Sequence, residues 1–268
     1  MQQICHQIRA ADAGGDLNFS EISEVVPWLE LAVDQGQNLE ECQYGESDGK
    51  PRLFKTHAWE EHCPKFPKTI VVLRNPFDVL LSFYRFFEDW FFEKGALSLD
   101  AFANEFWLAR DVPASRMENA SYFVHLLSWY KRRNDPTVLF VFFEDLKENL
   151  QDEVGRIARF MSNEKFQLDT PETIQLVTER SCFDYMKRHA YYFDEKLSKL
   201  ARNEACGLSK DAGLSQSKLV NGKVGEGKEL LSEPLKVKIQ EKWSSVVEPV
   251  TGCASYEDLK VQLQSIIL

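Results

Sequence analysis

Two short stretches of this 268-residue chain place reactive side chains where chemistry is possible. The first is VVLRNPFDVLLSFYRFF, residues 71–87, where an apolar run stops at Arg74-Asn75-Pro76 and resumes around Ser82. Arg74 stands at the carboxyl end of a predicted buried strand. Asn75 is a good N-cap, and Pro76 fits the first helical position. Asp78 falls in the first turn, where a negative charge suits the helix dipole. The strand should therefore pass directly into a helix. Ligands bind at such junctions in open α/β sheets, and helix N-termini attract phosphate. Ser82 lies less than two turns up that helix, so one anion can accept from both Arg74 and Ser82. The plain alternative makes Arg74 a surface ion-pair partner and Ser82 a helix residue bonded to its own backbone.

The second stretch is PRLFKTHAW, residues 51–59. Alternate residues of an extended chain share a face, so Lys55 and His57 point the same way. A neutral imidazole beside a cation is general-base equipment near neutral pH. A lone histidine at a strand end also occurs with no task. Three further segments carry weaker signals. In LFVFFEDLKENL, residues 139–150, a buried strand runs into a helix with Glu144 and Asp145 near its start, and core packing explains Phe143 as well as a ligand does. RSCFDYMK, residues 180–187, is a polar-aromatic octet of a common kind. LVNGKVGEGK, residues 219–228, combines glycines with Lys223 and Lys228, so its amides can approach an anion closely, or it is simply flexible.

The elements that must hold these groups follow from periodicity. TIVVL (69–73) and TVLFVFF (137–143) read as apolar strands, and residues 52–57 as a short one. Helices are expected over 1–11, ended by Gly14-Gly15, and over 76–92, 98–110, 117–133, 144–162 and 171–180. Met117, Phe123, Leu126, Leu127 and Tyr130 keep a helical stripe. Strands apolar on both faces and separated by helices imply a parallel sheet covered on both sides. No internal repeat is visible. Residues 203–228 read as a long mobile loop inside a single domain spanning 1–268.

Composition limits the partners. The chain is 44% hydrophobic, 28% charged and 12% aromatic, with a net charge of −10 and no basic block. That argues against general binding to nucleic acid or to a membrane surface. Cys5, Cys42, Cys63, Cys182, Cys206 and Cys253 form no C-x-x-C pair, so no metal or redox site is indicated. The polar start is unlike a secretory signal, and reduced thiols in the cytoplasm are expected. The G-x-x-x-x-G-K-[ST] loop of small-molecule kinases is not found.

The pattern R-N-P-x-D-x-x-x-S after an apolar strand resembles the 3′-phosphate signature of the cytosolic sulfotransferase family. These enzymes use 3′-phosphoadenosine-5′-phosphosulfate (PAPS) as sulfuryl donor. The resemblance implies a three-layer α/β fold of the P-loop-NTPase-like sulfotransferase type, with a central parallel sheet flanked by helices. It implies that Arg74 and Ser82 hold the 3′-phosphate. Lys-Thr-His is similar to the family's K-[ST]-H-x-P, with Trp59 where the motif has proline. By that likeness His57 takes the acceptor's proton and Lys55 steadies the transferring group. Phe143 stands where a family tyrosine contacts the adenosine. Ser181 and Phe183, which resemble part of T-S-F-x-x-M-K, would touch the adenine. Gly222-Lys223-Val224-Gly225 matches the glycine part of R-K-G-x-x-G. Val220 and Asn221 replace its basic pair, so that clamp should be weaker or completed by Lys218 or Lys223. The family's dimerisation pattern is not recognisable after Lys228, and the oligomeric state is left open.

One family element is not seen: an N-terminal strand followed by P-K-S-G-T-T-W, which wraps the 5′-phosphosulfate. The expectation is thus a sulfotransferase fold with its first strand missing, from a fragment or a degenerate member. Such a chain alone should be nearly inactive, because it lacks preorganised donors at the transferring charge. The full-length parent is expected to sulfate a small phenol, alcohol or amine, and aromatic richness around 83–92 and 122–130 suits such an acceptor. The alternative is a non-catalytic nucleotide-binding or interaction protein.

Overall fold

The structure, a computed structural model, describes all residues except 41–49, 117, 215–216, 220–221 and 268, and all their side chains except those of Asp89 and Ile267. Cys42, Met117, Val220 and Asn221, each singled out above, lie outside the described residues.

Among the described residues two strands form one parallel sheet, β1 (Thr69–Leu73) and β2 (Val138–Phe142), with Thr69 opposite Val138 and Leu73 opposite Phe142. Parallel neighbours need a long crossover, and residues 74–137 supply it with helices. The fold is α/β, a small parallel sheet flanked by helices, as expected. All five residues of β2 are buried. On β1, Val71 and Leu73 are buried, but Val72 between them is 40% exposed. So β2 is covered on both faces, whereas β1 is open on one.

The expected strand over 52–57 is corrected to a single parallel bridge, Lys55 with Trp28. Lys55 N donates to Pro27 O at 2.8 Å, and Leu29 N donates to Lys55 O at 2.9 Å. The ladder stops there because the partner chain turns away, Leu31 N donating back to Trp28 O. Helix ends also differ from the periodic reading. The helix expected over 117–133 begins at Tyr122, because the Ser121 hydroxyl caps it by accepting from Val124 N at 3.2 Å. Such a cap stabilises by about 1 kcal/mol. The helix expected over 144–162 is two, Phe143–Glu148 and Leu150–Met161, parted at Asn149 with φ −135°. The helix expected over 98–110 runs Leu99–Phe102 and then widens into a π-type turn over Ala103–Trp107.

The chain gathers into two compact units. The first comprises Met1–Thr56, Asp89–Phe92 and Asp145–Gly222. Its helix Gln2–Arg9 packs on Pro171–Ser181, burying Ile4, Ile8 and Val177, and a satellite core joins Phe19, Ile22, Val25, Val26 and Phe193. The second unit comprises His57–Glu88, Glu93–Glu144 and Lys223–Leu268. It holds the sheet, with a core that includes Leu80, Phe123, Leu126, Phe140, Phe142, Leu235, Ile239 and Trp243. Each such fully buried aliphatic or aromatic side chain contributes about 1.5–3 kcal/mol.

Candidate functional site

In the second unit, β1 ends at Leu73 and the helix Pro76–Trp90 begins three residues later. The turn between them is fixed from several sides. Asn75 N donates to Glu144 Oε1 at 3.0 Å, and Glu144 is buried and also accepts from Tyr256 Oη at 2.8 Å. The Asn75 side chain caps the helix by accepting from Phe77 N at 3.0 Å. Tyr122 Oη donates to Arg74 O at 2.9 Å.

Arg74 thus leaves a rigid turn. Its guanidinium lies 4.3 Å from the centre of the Phe143 ring, and Nη2 donates to Lys223 O at 3.1 Å. The structure brings Arg74, Phe143 and Lys223 together, with the cation over the Phe143 ring. Asp78, buried to 2%, faces Arg74 at a loose 3.4 Å. Its carboxylate is committed elsewhere, accepting from Gly225 N at 2.9 Å and Gly227 N at 2.7 Å. The buried Nε of Arg74 has no partner. An orphaned charged donor is costly unless a ligand completes it. Ser82 is exposed farther along the same helix, and its hydroxyl makes no hydrogen bond among the described residues. His57 is exposed in this unit. An aromatic group stands nearby in sequence, half-buried Phe83, Phe87 and Phe106 with fully buried Phe102: Phe83 and Phe87 lie 4.4 Å apart between centroids, and Phe102 and Phe106 5.2 Å.

Asp78 was legible only as a first-turn acid. Its second task, tethering the glycine segment, joins residues 147 and 149 positions apart, which spacing along the chain cannot reveal. Gly227 matters for the same reason. A β-carbon there would sit 2.3 Å from the Phe77 carbonyl, so only glycine lets the segment lie against the helix start.

In the first unit, Ser181 ends the helix Pro171–Ser181, and Phe183 opens the next, Phe183–Arg188. Ser181 is 7% exposed and its hydroxyl is buried without a partner. Gly222, at φ 57°, rests on the Phe183 ring: a β-carbon would meet the ring at 2.8 Å and Lys147 Nζ at 2.9 Å. Lys147 and Lys187 face that ring at 4.6 and 5.6 Å from its centre. Gly222 and Phe183 are thus brought together, along with Lys147, which sequence reasoning did not single out as a site residue. Lys55 belongs to this unit; its ammonium lies 3.7 Å over Trp28 and 3.1 Å from Glu195 Oε1. The unit boundary falls between Thr56 and His57, within the Lys-Thr-His motif.

Each unit thus carries its own unsatisfied buried polar atom, Arg74 Nε in the second and Ser181 Oγ in the first. Among the described residues no group of three or more His, Cys, Asp or Glu side chains is placed to hold a metal ion, and no helix is long and apolar enough to cross a membrane.

Comparison with known proteins supplies the family. Residues 1–218 match the model of a family described as the sulfotransferase domain. Sulfotransferase 6B1 of Danio rerio is 37% identical over 141 residues, covering 51% of this chain and 44% of that protein. Sulfotransferase 1B1 of Canis lupus familiaris is 31% identical over 175 residues, covering 62% of this chain and 54% of that protein. The chain thus spans about half the length of these curated relatives. Among solved structures, mouse sulfotransferase SULT7A1 complexed with PAP aligns with a TM-score of 0.56 at 23% identity, over 82% of this chain and 72% of that one. Retinol dehydratase in complex with androsterone and the inactive cofactor PAP aligns with a TM-score of 0.63 at 16% identity, over 92% and 78%. At these identities the structures speak to the fold.

Proposed function

Because the chain belongs to the sulfotransferase family, with 218 of its residues inside the domain match, we propose that it binds PAPS and serves sulfuryl transfer to a small hydroxylated or amino acceptor in the cytoplasm. The observation that carries the reading is Arg74: a guanidinium on a ring, at a strand-to-helix turn, with a buried Nε lacking a partner. Arg74 and Ser82 take the 3′-phosphate. Ser181 and Phe183 take the adenine, with Phe143 backing Arg74 and the Gly222-Lys223 segment closing over the nucleotide.

In the transfer, the acceptor oxygen or nitrogen forms a bond to sulfur as the bond from sulfur to the bridging phosphate oxygen breaks. The electron pair leaves with adenosine 3′,5′-bisphosphate, and His57 takes the acceptor's proton. Lys55 steadies the charge on the moving group. Little covalent work falls to the protein; the rate comes from positioning and electrostatics. The half-buried phenylalanines 83, 87 and 106 suit an apolar acceptor body.

Isothermal calorimetry with adenosine 3′,5′-bisphosphate tests the reading. Arg74→Ala with Ser82→Ala should weaken binding by about tenfold to a hundredfold, the worth of charge-assisted hydrogen bonds. Adenosine 5′-monophosphate, which lacks the 3′-phosphate, should show no such difference between the two proteins. Equal affinity of the double variant for the bisphosphate would overturn the assignment. Sulfate transfer from PAPS to a panel of phenols separates the enzyme from a nucleotide-binding relative without turnover.

A further inference from the structure

The first unit carries a charged cluster of which sequence motifs announce only Lys55. Glu195 is 2% exposed and, at φ 51°, is the one non-glycine residue with a left-handed backbone among the described residues. That backbone costs about 1–2 kcal/mol for a residue with a β-carbon. Its carboxylate joins two lysines, Oε1 accepting from Lys55 Nζ at 3.1 Å and Oε2 accepting from Lys218 Nζ. Each ammonium also lies over an indole, Lys55 at 3.7 Å from the centre of Trp28 and Lys218 at 4.6 Å from that of Trp90. The two indoles are neighbours, 6.1 Å apart.

The layering is informative. The carboxylate is sealed beneath, while the Lys55 and Lys218 side chains keep 21% and 23% of their exposure. Two ammoniums share the one carboxylate of Glu195. Glu21, the other buried acid close by, also attracts Lys218 through space; its carboxylate accepts from the amides of Leu197 and Ser198, at 2.9 and 3.3 Å, and from the hydroxyls of Ser23 and Ser198. Burial alone would push the Glu195 carboxyl up, but the two lysines outweigh it and hold it below its ordinary range. Burial pulls the Lys218 ammonium below the usual lysine range, against the attraction of Glu195. A buried carboxylate in a strained backbone, dedicated to two half-covered cations, is a holding device. Breaking such a pair leaves an uncompensated charge.

We propose that Lys55 and Lys218 form one two-ammonium clamp for a monoanionic sulfonate, and that Glu195 is the positioning residue that holds them together. The sulfonate as occupant rests on the donor reading above; the clamp itself rests on the geometry of these side chains. Lys218 thereby joins Lys55 at the charge that moves, a role that the Lys-Thr-His resemblance implies for Lys55 alone.

Acetylation of the full chain, mapped lysine by lysine by mass spectrometry, tests the clamp without any ligand. Glu195→Gln should raise the labelling rate of Lys55 and Lys218 together, by about tenfold, the effect of one unit of proton affinity. Lys218→Met should instead slow labelling of Lys55, by about threefold, because a like charge is removed and the carboxylate is left undivided. If Glu195→Gln loses its folded circular dichroism, Glu195→Asp replaces it and should raise both rates by about threefold. Independent behaviour of the two lysines overturns the clamp. The occupant is tested with the wild-type chain: PAPS should protect both lysines, and adenosine 3′,5′-bisphosphate neither. Protection of one lysine alone, or of neither while the bisphosphate binds by calorimetry, also overturns the clamp. Failure of the bisphosphate to bind, with the labelling pattern intact, removes the donor reading and leaves the clamp standing.

Discussion

Gly227 has no room for a methyl group. The β-carbon of an alanine would fall 2.3 Å from both the carbonyl carbon and oxygen of Phe77, which are backbone atoms at a capped helix start and have nowhere to go. Gly227→Ala is expected to destabilise the second unit by about 1–3 kcal/mol, the usual range for overpacking, as read from urea unfolding. Gly225→Ala meets no such wall, but its backbone sits at φ 84°, so its cost is conformational. These two glycines were legible as a close-approach segment. What they approach was not, because Phe77 and Asp78 lie almost 150 positions away in sequence. Glu195 is harder still. Nothing in Phe193-Asp194-Glu195-Lys196 marks a left-handed residue, and its partners Lys55 and Lys218 come from distant segments.

Among the elements, the turn from β1 into the helix Pro76–Trp90 was the best announced. An apolar run, a cap and a proline all specify the same geometry, and the structure follows them. β2 was equally plain, since five apolar residues in a row suit a strand covered on both faces. The short segment 52–57 failed as a strand because pairing needs a partner, and its partner turns away after Leu29. Helix starts at Ser98, Ser121 and Thr170 are set by side-chain caps that a periodic count passes over. The glycine segment is tied to the helix start through Asp78, which suggests a test at this scale. Asp78→Asn keeps the shape but loses the charge that two amides share. Trypsin should then cut after Lys223 or Lys228 markedly faster, and stability should fall by about 1–3 kcal/mol. Unchanged cleavage would mean that the tether contributes nothing.

For the whole molecule, pH is the simplest probe. His6 is fully buried, and burial, followed by the charge of Arg9, lowers its pKa to about 4, with Asp16 pulling the other way. In the unfolded chain it titrates near 6.5. Between these values the unfolded state binds the extra proton, so stability is full above about pH 6.5 and is lost as pH falls toward 4. The loss is on the order of 3 kcal/mol. Urea midpoints between pH 7 and 4.5 should drop accordingly, and His6→Gln should reduce the slope by its share, the remainder belonging to His125, which burial likewise lowers to about 4. An unaltered slope in that variant would assign the acid sensitivity elsewhere. Family and fold were readable from a few motifs, whereas the buried charges that set such global behaviour were not. Arg74 shows what folding prepares in advance. Its carbonyl accepts from Tyr122, and its guanidinium lies over the Phe143 ring. In the role proposed for it, Arg74 would offer a phosphate a guanidinium already held in place, so association would freeze fewer rotations than a free arginine would surrender. Recognition at that point should be fast and nearly rigid-body, with most of the enthalpy coming from ligand contacts and little from rearranging the host.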